Sequence, residues 1–277
     1  MTTKIVLVGA GGKMGLRITD NFLNCPQYDI SYLEISGPCI ELLKQRDVIV
    51  SVQKEVIPVA DVVILAVPDV AIGKISQEII PMMKPGSLVM TLDPAAPLDG
   101  VIFHRADLGY VIAHPCHPSV FNWEPTEAAF RDFYGGISAK QSIVVALMAG
   151  TEENYQLGEQ IAKDMYQPIK TTHRITLEQM AILEPAMVET LAQTCMEVVK
   201  KGYDKIVELG VPEAAAHDFV LGHLRIQIAV LFKEVNGTFS DAAYKISKRA
   251  RPILFKEGWE KIFEMSDIRE QVRDITN

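Results

Sequence analysis

Lys4-Ile-Val-Leu-Val8 runs directly into Gly9-Ala-Gly-Gly-Lys-Met-Gly15, and a helical pattern follows. The first five residues are mostly β-branched and apolar, which predicts a buried strand. The glycines allow positive φ and close approach of another backbone. A strand, a glycine turn and a helix start in that order build an anion site: the free N–H groups of the helix N-terminus point at a phosphate. With an acidic residue about twenty positions further on, the layout predicts a dinucleotide pyrophosphate site. Gly9, Gly11, Gly12, Lys13, Met14 and Gly15 are its expected cofactor-binding residues. The spacing fits G-x-x-G-x-x-G (Gly9, Gly12, Gly15), because G-x-G-x-x-G would need glycine where Met14 stands.

Outward from this loop, strand and helix signals alternate. Ile30–Leu33, Val48–Val52, Asp61–Val67, Ser87–Leu92, Tyr110–Ala113 and Ser142–Met148 read as strands, and Ile169–Arg174 as a last edge strand. Helices are expected over Lys13–Asn24 and Ala71–Met83, and from Thr151 as a cap. Continuous apolar strands imply a parallel sheet covered on both faces. After Thr176 the strand signals stop. Leu177–Gly210 carries a helical stripe, and Pro212 is expected at the N1 position of another helix. Ala216–Phe232 is apolar nearly all round, so that helix is expected to be buried. The fold class is therefore α/β: a Rossmann-type doubly wound parallel sheet over residues 1–175, then an all-α domain over 176–277.

The 277 residues carry a net charge of −8 and are 48% hydrophobic. That balance argues against a nucleic-acid or anionic-membrane binder and is enough for a real core. No apolar run approaches the ~18 residues of a membrane span. Cys25, Cys39, Cys116 and Cys195 show no C-x-x-C pattern, which reads as reduced thiols in the cytoplasm. The N-terminus enters a core strand at once, so no signal peptide is expected.

Glu34 ends the second strand. A carboxylate there accepts from the adenosine ribose hydroxyls and repels a 2′-phosphate, so NAD is expected over NADP. Ala66-Val67-Pro68-Asp69 ends a later strand and should line the cofactor. Ala113-His-Pro-Cys-His-Pro118 leaves a buried strand at the sheet edge. Each of its histidines precedes a proline, which restricts the backbone and fixes the imidazole direction. His114 and His117 are candidate proton-transfer groups, with His114 preferred. Glu184 falls on the same helical stripe as Leu177, Met180, Met187, Leu191, Cys195 and Val198, and Pro185 should kink the helix beside it. A carboxylate among core positions needs a partner. His223, inside the apolar helix, is the fourth candidate. His114, Glu184 and His223 are also the expected metal ligands, zinc or magnesium, if a metal is used. Arg225, Lys233 and Arg249 are candidate anchors for a substrate carboxylate.

Val8–Gly15, Ala60-Asp-Val-Val-Ile-Leu-Ala-Val-Pro68 and the His-Pro loop ahead of a helical domain resemble the 6-phosphogluconate and β-hydroxyacid dehydrogenase superfamily. Within it, Ala113-His-Pro-Cys-His-Pro-Ser-Val-Phe121 resembles the D-apionate oxidoisomerase family. That resemblance implies an NAD-dependent oxidoreductase acting on a small sugar acid, with oxidation of D-apionate and a carbon shift to 3-oxo-isoapionate. His114, Glu184 and His223 would then supply base or Lewis-acid support. No lysine occurs between Lys170 and Lys200, so the lysine-based mechanism of simple β-hydroxyacid dehydrogenases is not expected. The alternatives are a β-hydroxyacid or prephenate-like dehydrogenase, a dihydrodipicolinate reductase-like enzyme, or an NAD sensor without turnover. The apolar helix is expected to complete its core against a second subunit, as a homodimer.

Overall fold

The structure is a computed structural model and describes residues 2–277. Seven strands form one sheet: β1 Thr3–Val8, β2 Tyr28–Leu33, β3 Val62–Leu65, β4 Leu88–Thr91, β5 Gly109–Pro115, β6 Gln141–Ala149 and β7 Ile169–Arg174. Their order is β2-β1-β3-β4-β5-β6-β7. The first five strands are mutually parallel. β1 is flanked by β2 and β3, so the chain reverses its winding direction beside it. Such switch points leave a crevice at the carboxyl ends of the strands.

The period of two along β1 divides the core. Ile5 and Leu7 point to one face, with Ile18 and Phe22 of the helix Lys13–Phe22 and with Tyr155, Ile161 and Met165 of the helix Glu152–Met165. Val6 and Val8 point to the other, with Ile72 and Ile79 of the helix Asp69–Ile79. Both faces are covered, which is why β3 and β4 are apolar at nearly every position and buried throughout.

The doubly wound parallel sheet expected from the sequence is present, with one departure: β6 runs antiparallel to β5, and β7 is parallel to β6. A parallel neighbour requires a crossover to the far end of the sheet. Residues 116–140 instead return from the same end, with only the one-turn helix Glu127–Phe130 among them. The expected strand Val48–Val52 is also absent. Val50 makes one bridge to Tyr32, and the chain turns into the short helix Gln53–Val56. Val48 is buried and Val50 packs against the same core, while Ile49 and Val52 stay exposed, so the segment is held by two side chains and one bridge without a ladder.

The chain divides into two compact units, one reaching to Pro185 and including Arg269–Asn277, the other Ala186–Ile268. The boundary expected at 175 falls ten residues further on. The helix Leu177–Ala181 belongs to the first unit because Met180 packs with Ile112, Val144 and Ala146 of the sheet. The C-terminal residues return as well, and the Thr276 hydroxyl donates to Asp99 at 2.8 Å. In the second unit Pro212 is the N-cap, not N1, of the helix Glu213–Leu231. That helix is not buried as expected: Ala216 and Ala229 are covered, while Phe219, Leu221, Ile226 and Leu231 are exposed. The Leu177–Val198 stripe behaves likewise, since Met180 is buried but Met187 and Val198 are not.

Gly15 ties the first helix to the loop. A Cβ there would lie 2.0 Å from the Gly9 carbonyl oxygen, a distance only a backbone shift can relieve. Gly15→Ala is expected to cost ~3 kcal/mol or more, read as a lower urea midpoint. A variant as stable as the wild type would contradict this packing.

Candidate active site at the carboxyl edge of the sheet

The ends of the parallel strands gather the functional side chains. Gly9 follows β1 with φ 78°, and a Cβ on it would meet the Ala66 carbonyl oxygen after β3 at 2.4 Å. Two loops therefore touch through glycine. Gly12 caps the helix Lys13–Phe22 without any side-chain hydrogen bond, so the first-turn N–H groups are open to an anion. Beside them lies a cleft of about 440 Å³ lined by Gly9, Gly12, Glu34, Val67 and Pro68 among others. Glu34 is held at its mouth. Its Oε1 accepts from the N–H groups of Ile35 (2.9 Å) and Ser36 (3.0 Å), and its Oε2 from Gly11 N–H (3.0 Å). A carboxylate has about four acceptor positions, so one remains for a ribose hydroxyl. Met14 has a different place from the other loop residues: it packs against the core.

At the next two strand ends, His114 of β5 sits beside Leu92 and Asp93, which follow β4. His114 Nδ1 lies 2.7 Å from the Leu92 carbonyl oxygen. A carbonyl only accepts, so Nδ1 carries the proton and Nε2 faces the site. Nε2 is 3.4 Å from Glu184 Oε2, and Nδ1 is 3.9 Å from Asp93 Oδ2. Glu184 comes from a π-helical segment, Ile182–Gln193, that contains Pro185. Proline cannot donate to the regular ladder, and the wider turn accommodates it. The kink expected from the sequence is thus a π turn, and it brings Glu184 to His114.

Two acids join the site: Asp69, in the stretch Ala66–Asp69 expected to line the cofactor, and Asp93, which the sequence reading did not name. Burial pushes the Asp93 carboxyl above its ordinary value, against the Ala95 N–H bond and His114. Asp69 opens the helix after Pro68. Burial and then Asp93 push it up to about 6, and its Oδ1 is buried without a hydrogen-bond partner. Each ends a loop after an apolar strand (Ala66-Val-Pro-Asp69 and Thr91-Leu-Asp93), a pattern that could have flagged Asp93 as well.

Asp93, His114 and Glu184 each offer one ligand atom, all within 4.8 Å of one another. The set fits a divalent cation. Ligands about 2.0–2.2 Å from a common ion lie roughly 3–3.5 Å apart, as His114 Nε2 and Glu184 Oε2 do. A metal-bound histidine characteristically donates its other N–H to a carbonyl, as His114 does to Leu92. Two carboxylates and one imidazole suit magnesium, calcium or zinc.

His117 and His223 are not part of this three-residue set. His117 is half-buried with φ 57°, and its Nδ1 is 2.8 Å from the Tyr134 carbonyl oxygen. Its ring meets that of His114 edge-on at 6.4 Å. His223 belongs to the second unit, where its Nδ1 is 2.7 Å from the Phe219 carbonyl oxygen.

Comparison with known proteins reaches the same architecture. The family described as phosphogluconate dehydrogenase (decarboxylating), C-terminal, matches residues 122–276. A protein of Cupriavidus necator named D-apionate oxidoisomerase is 47% identical over 277 residues, all of both chains. One of that name from Rhizobium rhizogenes is 45% identical, covering 99% of this chain and 100% of the relative. The chain belongs to the D-apionate oxidoisomerase family. A crystal structure described as a semialdehyde dehydrogenase NAD-binding protein from Cupriavidus necator, in complex with calcium and NAD, superposes with a TM-score of 0.96 at 46% identity over the full length of both chains. An NADH-preferring ketol-acid reductoisomerase from an uncultured archaeon shares the fold, with a TM-score of 0.69 at 18% identity over 99% of this chain and 82% of that one.

A carboxyl raised in the folded state binds its proton more tightly there, so ionising it opposes folding. Between its ordinary value and about 6, Asp69 should lower stability as pH rises. Asp69→Asn in EDTA is therefore expected to raise the thermal midpoint at pH 7.5 and to lose that advantage near pH 4. Equal gains at both pH values would contradict the burial of Asp69.

Proposed function

We propose that this chain is an NAD-dependent oxidoreductase that oxidises D-apionate and rearranges its carbon skeleton to 3-oxo-isoapionate. The observation that carries this is the His114–Glu184–Asp93 cluster beside a dinucleotide cleft, in a chain with full-length relatives of that name. Gly9, Gly11, Gly12, Lys13 and Gly15 form the pyrophosphate turn. Val67 and Pro68 line the cleft, and Glu34 selects NAD.

In the first step the secondary alcohol of the sugar acid loses a hydride to the nicotinamide and its hydroxyl proton to a base. His114 Nε2 takes that proton, and Glu184 at 3.4 Å steadies the imidazolium. In the second, a base removes the proton of the neighbouring tertiary hydroxyl. Its oxygen closes to a carbonyl, and the hydroxymethyl group moves with its electron pair to the former ketone carbon. The oxygen of that former ketone gains the proton. As an alternative to His114 acting as the base, Asp93, His114 and Glu184 would hold a divalent cation, which when bound supplies Lewis-acid polarisation of the ketone oxygen. The Cupriavidus necator structure in complex with calcium supports the use of a divalent cation.

The exposed apolar positions of the helix Glu213–Leu231 support a homodimer, because a helix apolar on most sides is unfavourable in water. No described helix is long and apolar enough to cross a membrane, and all four cysteines are free. The working location we assign is the cytoplasm.

With NAD and D-apionate, NADH is expected to form. Glu184→Gln should cut kcat about 100-fold or more while leaving NADH affinity near that of the wild type. Unchanged turnover would remove Glu184 from the site. Light scattering should give the mass of two chains, and a monomer at micromolar concentration would contradict the dimer.

A further inference from the structure

The pyrophosphate helix and the histidine loop are tied together by one residue that neither motif contains. Tyr134 lies in the segment between β5 and β6. Its hydroxyl accepts from Lys13 Nζ at 2.8 Å, and the ammonium lies 4.0 Å from the centre of its ring. The carbonyl of the same residue is the partner of His117 Nδ1 at 2.8 Å, and the two rings meet edge-on at 5.9 Å. The segment is strapped to the same helix at two further points. Arg17 donates to Gly135 O (2.6 Å) and Asp132 Oδ1 (3.1 Å), and Asn21 donates to Gly136 O (2.8 Å).

Lys13 is the first residue of the helix whose N-terminus faces the pyrophosphate site. An ammonium has three donors. Tyr134 uses one, so two remain for phosphate oxygens. We propose that Lys13 bridges the bound dinucleotide and the Tyr134 hydroxyl, making Tyr134 a positioning residue that transmits cofactor occupancy to His117 and the wall beside His114. Lys13 is a long exposed side chain whose ammonium is held in this structure by the Tyr134 hydroxyl and ring. A phosphate contact at its other donors fixes it, and through it the Tyr134 ring and the His117 ring held on the same residue. The wall beside His114 is thus held more firmly once the hydride acceptor is in place. This rests on the dinucleotide reading above but not on the identity of the sugar acid.

Hydrogen–deuterium exchange of the full chain, with and without NADH, tests it. Saturating NADH should slow exchange over residues 116–136 by about threefold or more in the wild type. Tyr134→Phe keeps the ring and the carbonyl and loses only the hydroxyl. It should abolish that slowing while Gly9–Gly15 remain protected by NADH, with affinity within about threefold of the wild type. Lys13→Gln, with Tyr134 intact, should also abolish it, and it decides the matter if Tyr134→Phe does not fold. Slowing of wild-type size in either variant overturns the proposal, as does its absence in a wild type that binds NADH. A wild type that fails to bind NADH in a separate titration overturns the cofactor reading and this proposal together.

Discussion

The hydrogen bond from His114 Nδ1 to the Leu92 carbonyl, 2.7 Å long, joins the ends of two adjacent parallel strands. It decides which ring nitrogen carries the proton and which one faces the cleft. It exists because Leu88–Thr91 and Gly109–Pro115 pair in parallel register and end side by side at the carboxyl edge. The packing around it serves that alignment. Tyr166, fully buried, donates its hydroxyl to the carbonyl of Ala113, one residue before the histidine. Pro115 then restricts the backbone on the other side. A histidine fixed at three successive residues loses little rotational freedom on binding substrate, and this preorganises proton transfer.

The arrangement also explains the acids around it. His114 Nε2 carries a lone pair toward Glu184, and two lone pairs 3.4 Å apart repel unless a proton or a cation lies between them. Asp93 and Asp69 add negative potential in a partly buried place, and burial together with Asp93 makes Asp69 reluctant to ionise. A cluster of three carboxylates around one imidazole is a poor structural device. It suits chemistry that passes a proton, or holds a divalent cation, near a developing negative charge.

Much of this was legible in the sequence because it rests on local pattern. The glycine loop, Glu34, the stiff His-Pro loop and the inward Glu184 are short-range features, set by spacing and by proline. Asp93 was not singled out, because an acid after an apolar strand reads equally as a solvated loop until the strand order is known. The antiparallel β6 depends on where residues 116–140 return, which composition does not encode. Val48–Val52 has strand composition, and Val48 and Val50 reach the core, but the chain makes only one bridge to Tyr32 before it turns into a helix. Glu213–Leu231 reads as buried from its apolar content, yet content alone does not say which chain covers it. His223 followed the same logic, and its nearest partner is the carbonyl one turn earlier on its own helix.

The central claim is that this edge of the sheet both oxidises and rearranges one sugar acid. Carbon-13 NMR of the product formed from D-apionate and NAD tests it directly. The account predicts a ketone at the carbon that was the tertiary alcohol, with the hydroxymethyl group moved to the neighbouring carbon. Accumulation of the unrearranged 2-oxo acid, alongside stoichiometric NADH, would contradict it.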